Sequence, residues 1–283
     1  MTTELNLQVK NTQHNKPILT DVFYTKNNIK KPVVIFCHGY KGYKDWGAWN
    51  LAATEFANNK LFFLKFNFSH NGGTVENPID FPDLEAFGQN NFTTELNDLE
   101  DVISWITNNT EYKGEIDSTN ITLIGHSRGG GTITIKASEN KQISNLISWA
   151  GVSDFGARFP KDEKILQHWE KEGVSYIENS RTKQQMPHYF QFYTNFKENE
   201  ARLTIKNAVQ KLNIPHLIIQ GEKDDVVLPI EAKKLHSWNP KSTLVIIKEM
   251  NHSLGCLQPW NDSKMPVHLA EVVKQSIDFI LKK

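Results

Sequence analysis

Eleven consecutive residues, Ile121-Thr122-Leu123-Ile124-Gly125-His126-Ser127-Arg128-Gly129-Gly130-Gly131, leave this chain few folds to choose from. Four apolar or β-branched residues in a row predict a strand of a parallel sheet, where both faces are covered. Thr132 to Ser138 then continues as a helix. Between them, Gly125-His126-Ser127-Arg128-Gly129 fits G-x-S-x-G, a sharp strand-to-helix turn that holds a serine in strained backbone geometry. Such a turn needs neighbours two residues away on either side that are almost free of side chain, and Gly125 and Gly129 meet that need. Gly130 and Gly131 let the helix approach the strand closely. The first N–H groups of the helix point to where an oxyanion would form.

Composition removes several function classes. Lys+Arg 32 balance Asp+Glu 32, so no basic stripe suggests nucleic acid and no polybasic helix a membrane surface. At 283 residues and 39% hydrophobic, a sizeable core can form. Met1 to Asn6 has no charged stretch followed by an apolar run, and no run is long enough to span a bilayer. Two cysteines, Cys37 and Cys256, make no disulfide framework and read as small apolar fillers. A soluble, cytoplasmic chain is expected, though one with its leader removed would read the same.

Leu5–Val9 and Ile18–Tyr24 alternate, which predicts two antiparallel strands at one sheet edge. Pro32–Cys37, Leu61–Phe66, Ile121–Ile124, Asn145–Ala150, Pro215–Gln220 and Thr243–Ile247 read as denser, buried strands. Helical patterns fall between or after them at Ala48–Asn58, Phe92–Asn108, Ile230–Trp238 and Pro266–Leu281. The alternation predicts an α/β fold with one doubly wound, mostly parallel sheet and antiparallel N-terminal edge strands. Ser153 to about Leu212 breaks the rhythm: it is rich in aromatics and arginines, its helical patches are short, and no strand stands out. We read residues 1–283 as a single domain and 153–212 as a helical cap insertion over the strand ends. A helical excursion packed on the sheet face is the plainer alternative.

A serine hydroxyl needs a base within hydrogen-bond reach and a carboxylate to orient that base. Three strand-end loops offer the set in the order Ser127, Asp224, His252. In Gly221-x-x-Asp224-x-x-Val227 the earlier carboxylate is preferred, with Asp225 a solvated turn residue. His236 and His268 fall in or beside helices, and His216 inside a strand reads as a satisfied core histidine. His126 reads as structural, and His38 and His70 as braces for their loops. The oxyanion is assigned to the backbone N–H groups of Arg128 and Tyr40. The Arg128 side chain either anchors the turn through a salt bridge or meets substrate. Trp169, Arg158 and Arg181 are candidate substrate-binding residues of the cap, the arginines as a rim for a substrate carboxylate.

Together the His38-Gly39 loop, Gly125-His126-Ser127-Arg128-Gly129-Gly130, Gly221-x-x-Asp224-x-x-Val227 and Asn251-His252 resemble the α/β-hydrolase superfamily. Within it the chain is similar to the dienelactone-hydrolase-like and feruloyl (cinnamoyl) esterase-like branch. The resemblance extends over nearly the whole chain. It implies a cofactor-independent serine hydrolase of carboxylic esters or related acyl compounds, working through an acyl-enzyme on a small-molecule substrate. One departure is that dienelactone hydrolases proper use cysteine where this chain has Ser127. A peptidase, thioesterase or lactonase on the same residues, or a ligand-binding receptor on a hydrolase fold, are the alternative readings. No zinc-type His or Cys pair and no nucleotide-binding glycine motif occurs, so no metal is expected.

Overall fold

Alternate residues of the strand Lys31–Cys37 enter opposite cores: Val33, Ile35 and Cys37 pack on one side and Val34 and Phe36 on the other. A strand that is apolar on both sides can only sit inside a sheet covered by helices on both faces. The computed structural model, which describes residues 1–282, is built this way. Its elements begin β1 (Thr2–Val9), β2 (Ile18–Tyr24), β3 (Lys31–Cys37), α1 (Trp49–Asn58), β4 (Phe62–Phe66), α2 (Leu84–Gln89) and α3 (Phe92–Asn108). Next come β5 (Ile116–His126), α4 (Arg128–Glu139), β6 (Ile143–Trp149), α5 (Glu163–Glu172), β7 (Val174–Glu178) and β8 (Gln185–Tyr189). The chain continues with α6 (Gln191–Glu198), α7 (Glu200–Leu203), α8 (Ile205–Lys211), β9 (His216–Gly221), α9 (Pro229–Trp238), β10 (Thr243–Ile247) and α10 (Val267–Leu281).

The main sheet has the order β1-β2-β4-β3-β5-β6-β9-β10. β2 is antiparallel to both β1 and β4, and every pair from β4 to β10 is parallel. This is the expected doubly wound α/β sheet with antiparallel strands at its N-terminal edge. α1 and α10 cover one face through Trp49, Phe56, Leu269, Val272 and Val273. α3 covers the other, with Leu99, Val102, Ile103 and Ile106 on one stripe. Each such buried side chain stabilises the fold by about 1.5–3 kcal/mol. Asn91 starts α3 by accepting the Thr94 N–H at 2.9 Å. Among the described residues no helix is long and apolar enough to cross a membrane.

Residues 153–212 contain two strands that the sequence did not suggest. β7 and β8 form a two-stranded antiparallel ribbon, pairing Val174 with Tyr189 and Glu178 with Gln185, where no strand was expected. β7 buries no face of its own, with Tyr176 58% and Ile177 48% exposed, so it carries no strand signature in sequence. Pro187 in β8 lacks an N–H, which a ribbon tolerates on its outer edge. Distant partners hold the ribbon instead. The Tyr189 ring lies so close to Gly88 of α2 that a Cβ there would sit 2.8 Å from it. Gln184 Nε2 also donates to the Phe81 carbonyl at 3.0 Å. Helix α2 itself is too short for periodicity to reveal.

Candidate active site

β5 ends in the Ser127 turn, and the first link to chemistry is backbone strain. Ser127 has φ 57° and ψ −120°, outside the regions a residue with a side chain ordinarily occupies. Three hydrogen bonds hold it there: Ser127 N–H donates to the Trp149 carbonyl (3.0 Å), and the Ser127 carbonyl accepts from Gly130 (3.0 Å) and Val152 (3.1 Å). A Cβ at Gly125 would lie 2.4 Å from the Gly129 carbonyl oxygen, so the turn closes only around glycine. Strain at one residue is thus carried by bonds to the end of β6, the loop after it and the first turn of α4.

The three strand-end residues meet. Ser127 Oγ lies 3.0 Å from His252 Nε2, and His252 Nδ1 lies 2.9 Å from Asp224 Oδ2. With a carboxylate at Nδ1, the imidazole carries its proton there and leaves Nε2 to accept from the serine. Asp224 Oδ1 accepts the N–H groups of Val226 (2.9 Å) and Val227 (2.8 Å). Burial raises the affinity of Asp224 for a proton, but His252 and these two amides outweigh it, so its carboxyl stays below the usual range. Asp225 is exposed.

Two neighbours complete the arrangement. Buried Gln220 donates its amide to Asp224 Oδ2 at 2.9 Å and to the Val227 carbonyl at 2.9 Å. Sequence reasoning missed it, because a glutamine in an apolar strand signals nothing until its partners are known. His126 lies 2.9 Å through Nε2 from the His252 carbonyl, with the two rings 4.9 Å apart, which fits its structural reading. Burial, aided by the nearby His252, lowers its pKa to about 3, so it serves as a neutral donor.

The loop after β3 passes directly against the serine. A Cβ on Gly39 would lie 2.8 Å from Ser127 Cβ. His38 braces this loop, with Nδ1 2.9 Å from the Gly39 carbonyl and Nε2 accepting the Phe68 N–H at 3.3 Å. A four-charge cluster, buried except for half-buried Asp45, ties the loop to the sheet: Asp21 Oδ2 meets Lys44 Nζ at 2.8 Å and Lys65 Nζ at 2.5 Å, and Asp45 meets both lysines at 2.6 Å. Its two positive and two negative charges satisfy each other, as buried ions must. The Arg128 N–H, first in α4, has no acceptor within its own helix.

Above Ser127 opens a cavity of about 770 Å³. Tyr40, Arg128, Phe92, Phe155, Phe159, Trp169 and Phe192 line it, with Arg158 among its walls. Trp169 donates its indole N–H to the His188 carbonyl at 2.8 Å, and the Tyr40 hydroxyl lies 3.0 Å from His188 Nε2. The two expected rim arginines part company. Arg158 lines the cavity but is paired with Glu231. Arg181 does not line it: it pairs with Asp80 and stands 3.4 Å from the Tyr43 hydroxyl, fastening the β7–β8 turn to the loop before α2. The expected rim role does not go with that position. Among the described residues, no group of three or more His, Cys, Asp or Glu side chains could hold a metal ion.

Buried imidazoles give the fold a pH signature. Burial depresses the pKa of His38, His70 and His188 to about 4 and of His126 and His216 to about 3. For His216 the expected satisfied state is half met, since Nε2 is 3.0 Å from Ser148 Oγ but Nδ1 is buried without a hydrogen-bond partner. In the unfolded chain these rings take up protons near pH ~6.5, so between there and about 4 the unfolded state binds more protons and stability falls as pH falls. Among the described residues Asp98 opposes this, burial having raised its pKa to about 7. Five rings outweigh one carboxyl, so Tm is expected to drop steadily from about pH 7 to about pH 5. A Tm that stays level or rises over that interval would show that the rings are not held neutral.

Comparison with known proteins fits this architecture. A search of curated proteins finds no sequence match. Among solved structures, Est1E from Butyrivibrio proteoclasticus with ferulic acid bound superposes with a TM-score of 0.72 at 16% identity, covering 98% of each chain. DcsB in complex with its substrate analogue gives 0.74 at 16% identity, covering 99% of each chain. Dienelactone hydrolase from Anabaena variabilis gives 0.61 at 14% identity, covering 99% of this chain and 97% of that one. At such identities the likeness is one of fold. The BD-FAE family model matches residues 20–239, from β2 through the Ser127 turn and the Asp224 loop to the end of α9, and leaves His252 beyond it. Because that match spans well over half of the sequence, the chain belongs to the BD-FAE family of α/β-hydrolase esterases and is an ester hydrolase.

Proposed function

We propose that Ser127, His252 and Asp224 form a catalytic triad that cleaves small-molecule carboxylic esters through an acyl-enzyme. The observation that carries this reading is the unbroken run of hydrogen bonds from Ser127 Oγ to His252 to Asp224, at 3.0 and 2.9 Å. His252 Nε2 takes the Ser127 proton as Oγ attacks the ester carbonyl. The N–H groups of Tyr40 and Arg128 stabilise the resulting oxyanion. His252 then returns the proton to the leaving alcohol, and the acyl group stays on Ser127. Water, deprotonated by His252, releases the acid in the same manner. Asp224 holds the imidazole tautomer throughout.

Residues 153–212 act in this reading as a cap insertion of a single domain, supplying Phe155, Phe159, Trp169 and Phe192 to the cavity wall. An aromatic wall favours an aromatic or long apolar acyl group, each buried ring being worth about 2 kcal/mol. The protein works in a reducing, cytoplasmic compartment, a reading supported by two buried, unpaired cysteines. The test uses p-nitrophenyl acetate, butyrate, octanoate and cinnamate. A burst of one p-nitrophenol per chain is expected before steady state, with kcat/KM for cinnamate about tenfold or more above acetate. Absence of turnover would remove the esterase reading, and a preference for acetate would remove the acyl-group reading.

A further inference from the structure

Arg128 sits at a place that electrostatics disfavours. It opens helix α4, where the positive end of the helix dipole repels a cation. Its side chain is 16% exposed, and its guanidinium carbon lies 4.3 Å from the Tyr40 ring centre, 5.3 Å from Phe192 and 5.4 Å from Phe92. Rings can favour the flat faces of a guanidinium, but its five N–H bonds lie in the plane and still need acceptors. Among the described residues Arg128 has one acceptor, Glu95 Oε1, at a long 3.5 Å. That oxygen already accepts from Asn90 Nδ2 at 2.9 Å, and Glu95 Oε2 accepts from Thr132 at 3.2 Å.

The cavity surroundings sharpen the imbalance. Among the described residues lining it are two arginines and no Asp or Glu. Arg158 is already taken by Glu231, which leaves Arg128, beside Ser127, as the wall's underused cation. We propose that Arg128 is a specificity residue which receives a carboxylate carried by the ester substrate, two N–H bonds meeting two oxygens. Aromatic walls exclude water from that pair and so strengthen it. The inference rests on Ser127 being the nucleophile of this cavity, and it adds the charge of the substrate to that reading.

The experiment compares matched esters that differ in one charge: p-nitrophenyl hemiglutarate against p-nitrophenyl valerate, and 4-carboxyphenyl acetate against phenyl acetate. Wild type is expected to prefer the anionic member of at least one pair by about tenfold or more in kcat/KM. Arg128→Met should lower that ratio about tenfold or more, whatever happens to the neutral rate. Arg128→Lys, with charge but no planar fork, should fall between. Because Arg128→Met leaves Glu95 without its cation, wild type gives a second readout: glutarate should inhibit neutral-ester hydrolysis about tenfold more strongly than glutaramide. A ratio near one in wild type for both pairs, or an equal loss on charged and neutral esters in Arg128→Met, overturns the proposal and leaves the side chain a brace between α3 and α4. Turnover that survives in Ser127→Ala would instead overturn the nucleophile reading beneath it.

Discussion

Ser127→Ala is expected to lower kcat for aryl esters by about 10⁴-fold or more and to abolish the single covalent label left by a fluorophosphonate. The expectation follows from the geometry: Ser127 Oγ meets His252 Nε2 at 3.0 Å, and alanine leaves the proposed base no hydroxyl to deprotonate. Alanine bears the φ of 57° no worse than serine does, and the backbone bonds to Trp149, Gly130 and Val152 remain. Stability should therefore change by less than about 1 kcal/mol, which Tm will read. A label that persists in the alanine variant would show that another residue is the nucleophile. A label lost together with the fold would be decided by mass mapping of the labelled peptide in wild type.

Asp224→Asn should cost nearly as much, about 10⁴-fold in kcat, with the chain still folded. Both carboxylate oxygens of Asp224 are acceptors here. Oδ1 takes the N–H groups of Val226 and Val227, and Oδ2 takes Gln220 Nε2 and faces His252 Nδ1. An amide must turn its NH₂ towards one of these donors. Turned towards His252, it forces the proton onto Nε2, where it blocks the serine. Asp225→Asn, on an exposed residue, should change kcat by less than about tenfold, the scale of one modest shift in a neighbour's pKa. If the two variants ranked the other way, the acid would have to be reassigned by one residue.

Much of the architecture could be read from the chain alone, for a physical reason. Burial on both faces gives Val33 to Cys37 and Ile121 to Ile124 an apolar run that needs no knowledge of the partners. The Ser127 turn requires glycine because a Cβ at Gly125 meets the backbone of Gly129 only four residues on. The helices α3 and α10 announce themselves by a stripe that recurs every turn. These are local properties, decided within one strand or two turns of helix. The order of Ser127, Asp224 and His252 on loops after β5, β9 and β10 was legible too, because each follows a strand with such a local signature.

Other features exist only through partners far away in sequence. The β7–β8 ribbon stands on α2 through Tyr189 and Gly88, about a hundred residues apart, and its β7 has no buried face to reveal it. Gln220 gains its purpose from Asp224 and Val227, and Lys44 and Lys65 from Asp21 and Asp45 across three elements. Arg158 and Arg181 look alike in sequence, yet one lines the cavity and the other pairs with Asp80 away from it. Arg128 shows the limit most clearly. Its place beside the serine is written in five letters, but its shortage of acceptors depends on where Glu95, Tyr40, Phe92 and Phe192 come to rest. Backbone strain and burial are properties of neighbouring residues, whereas hydrogen-bond satisfaction is a property of the whole fold, and the sequence shows only the first.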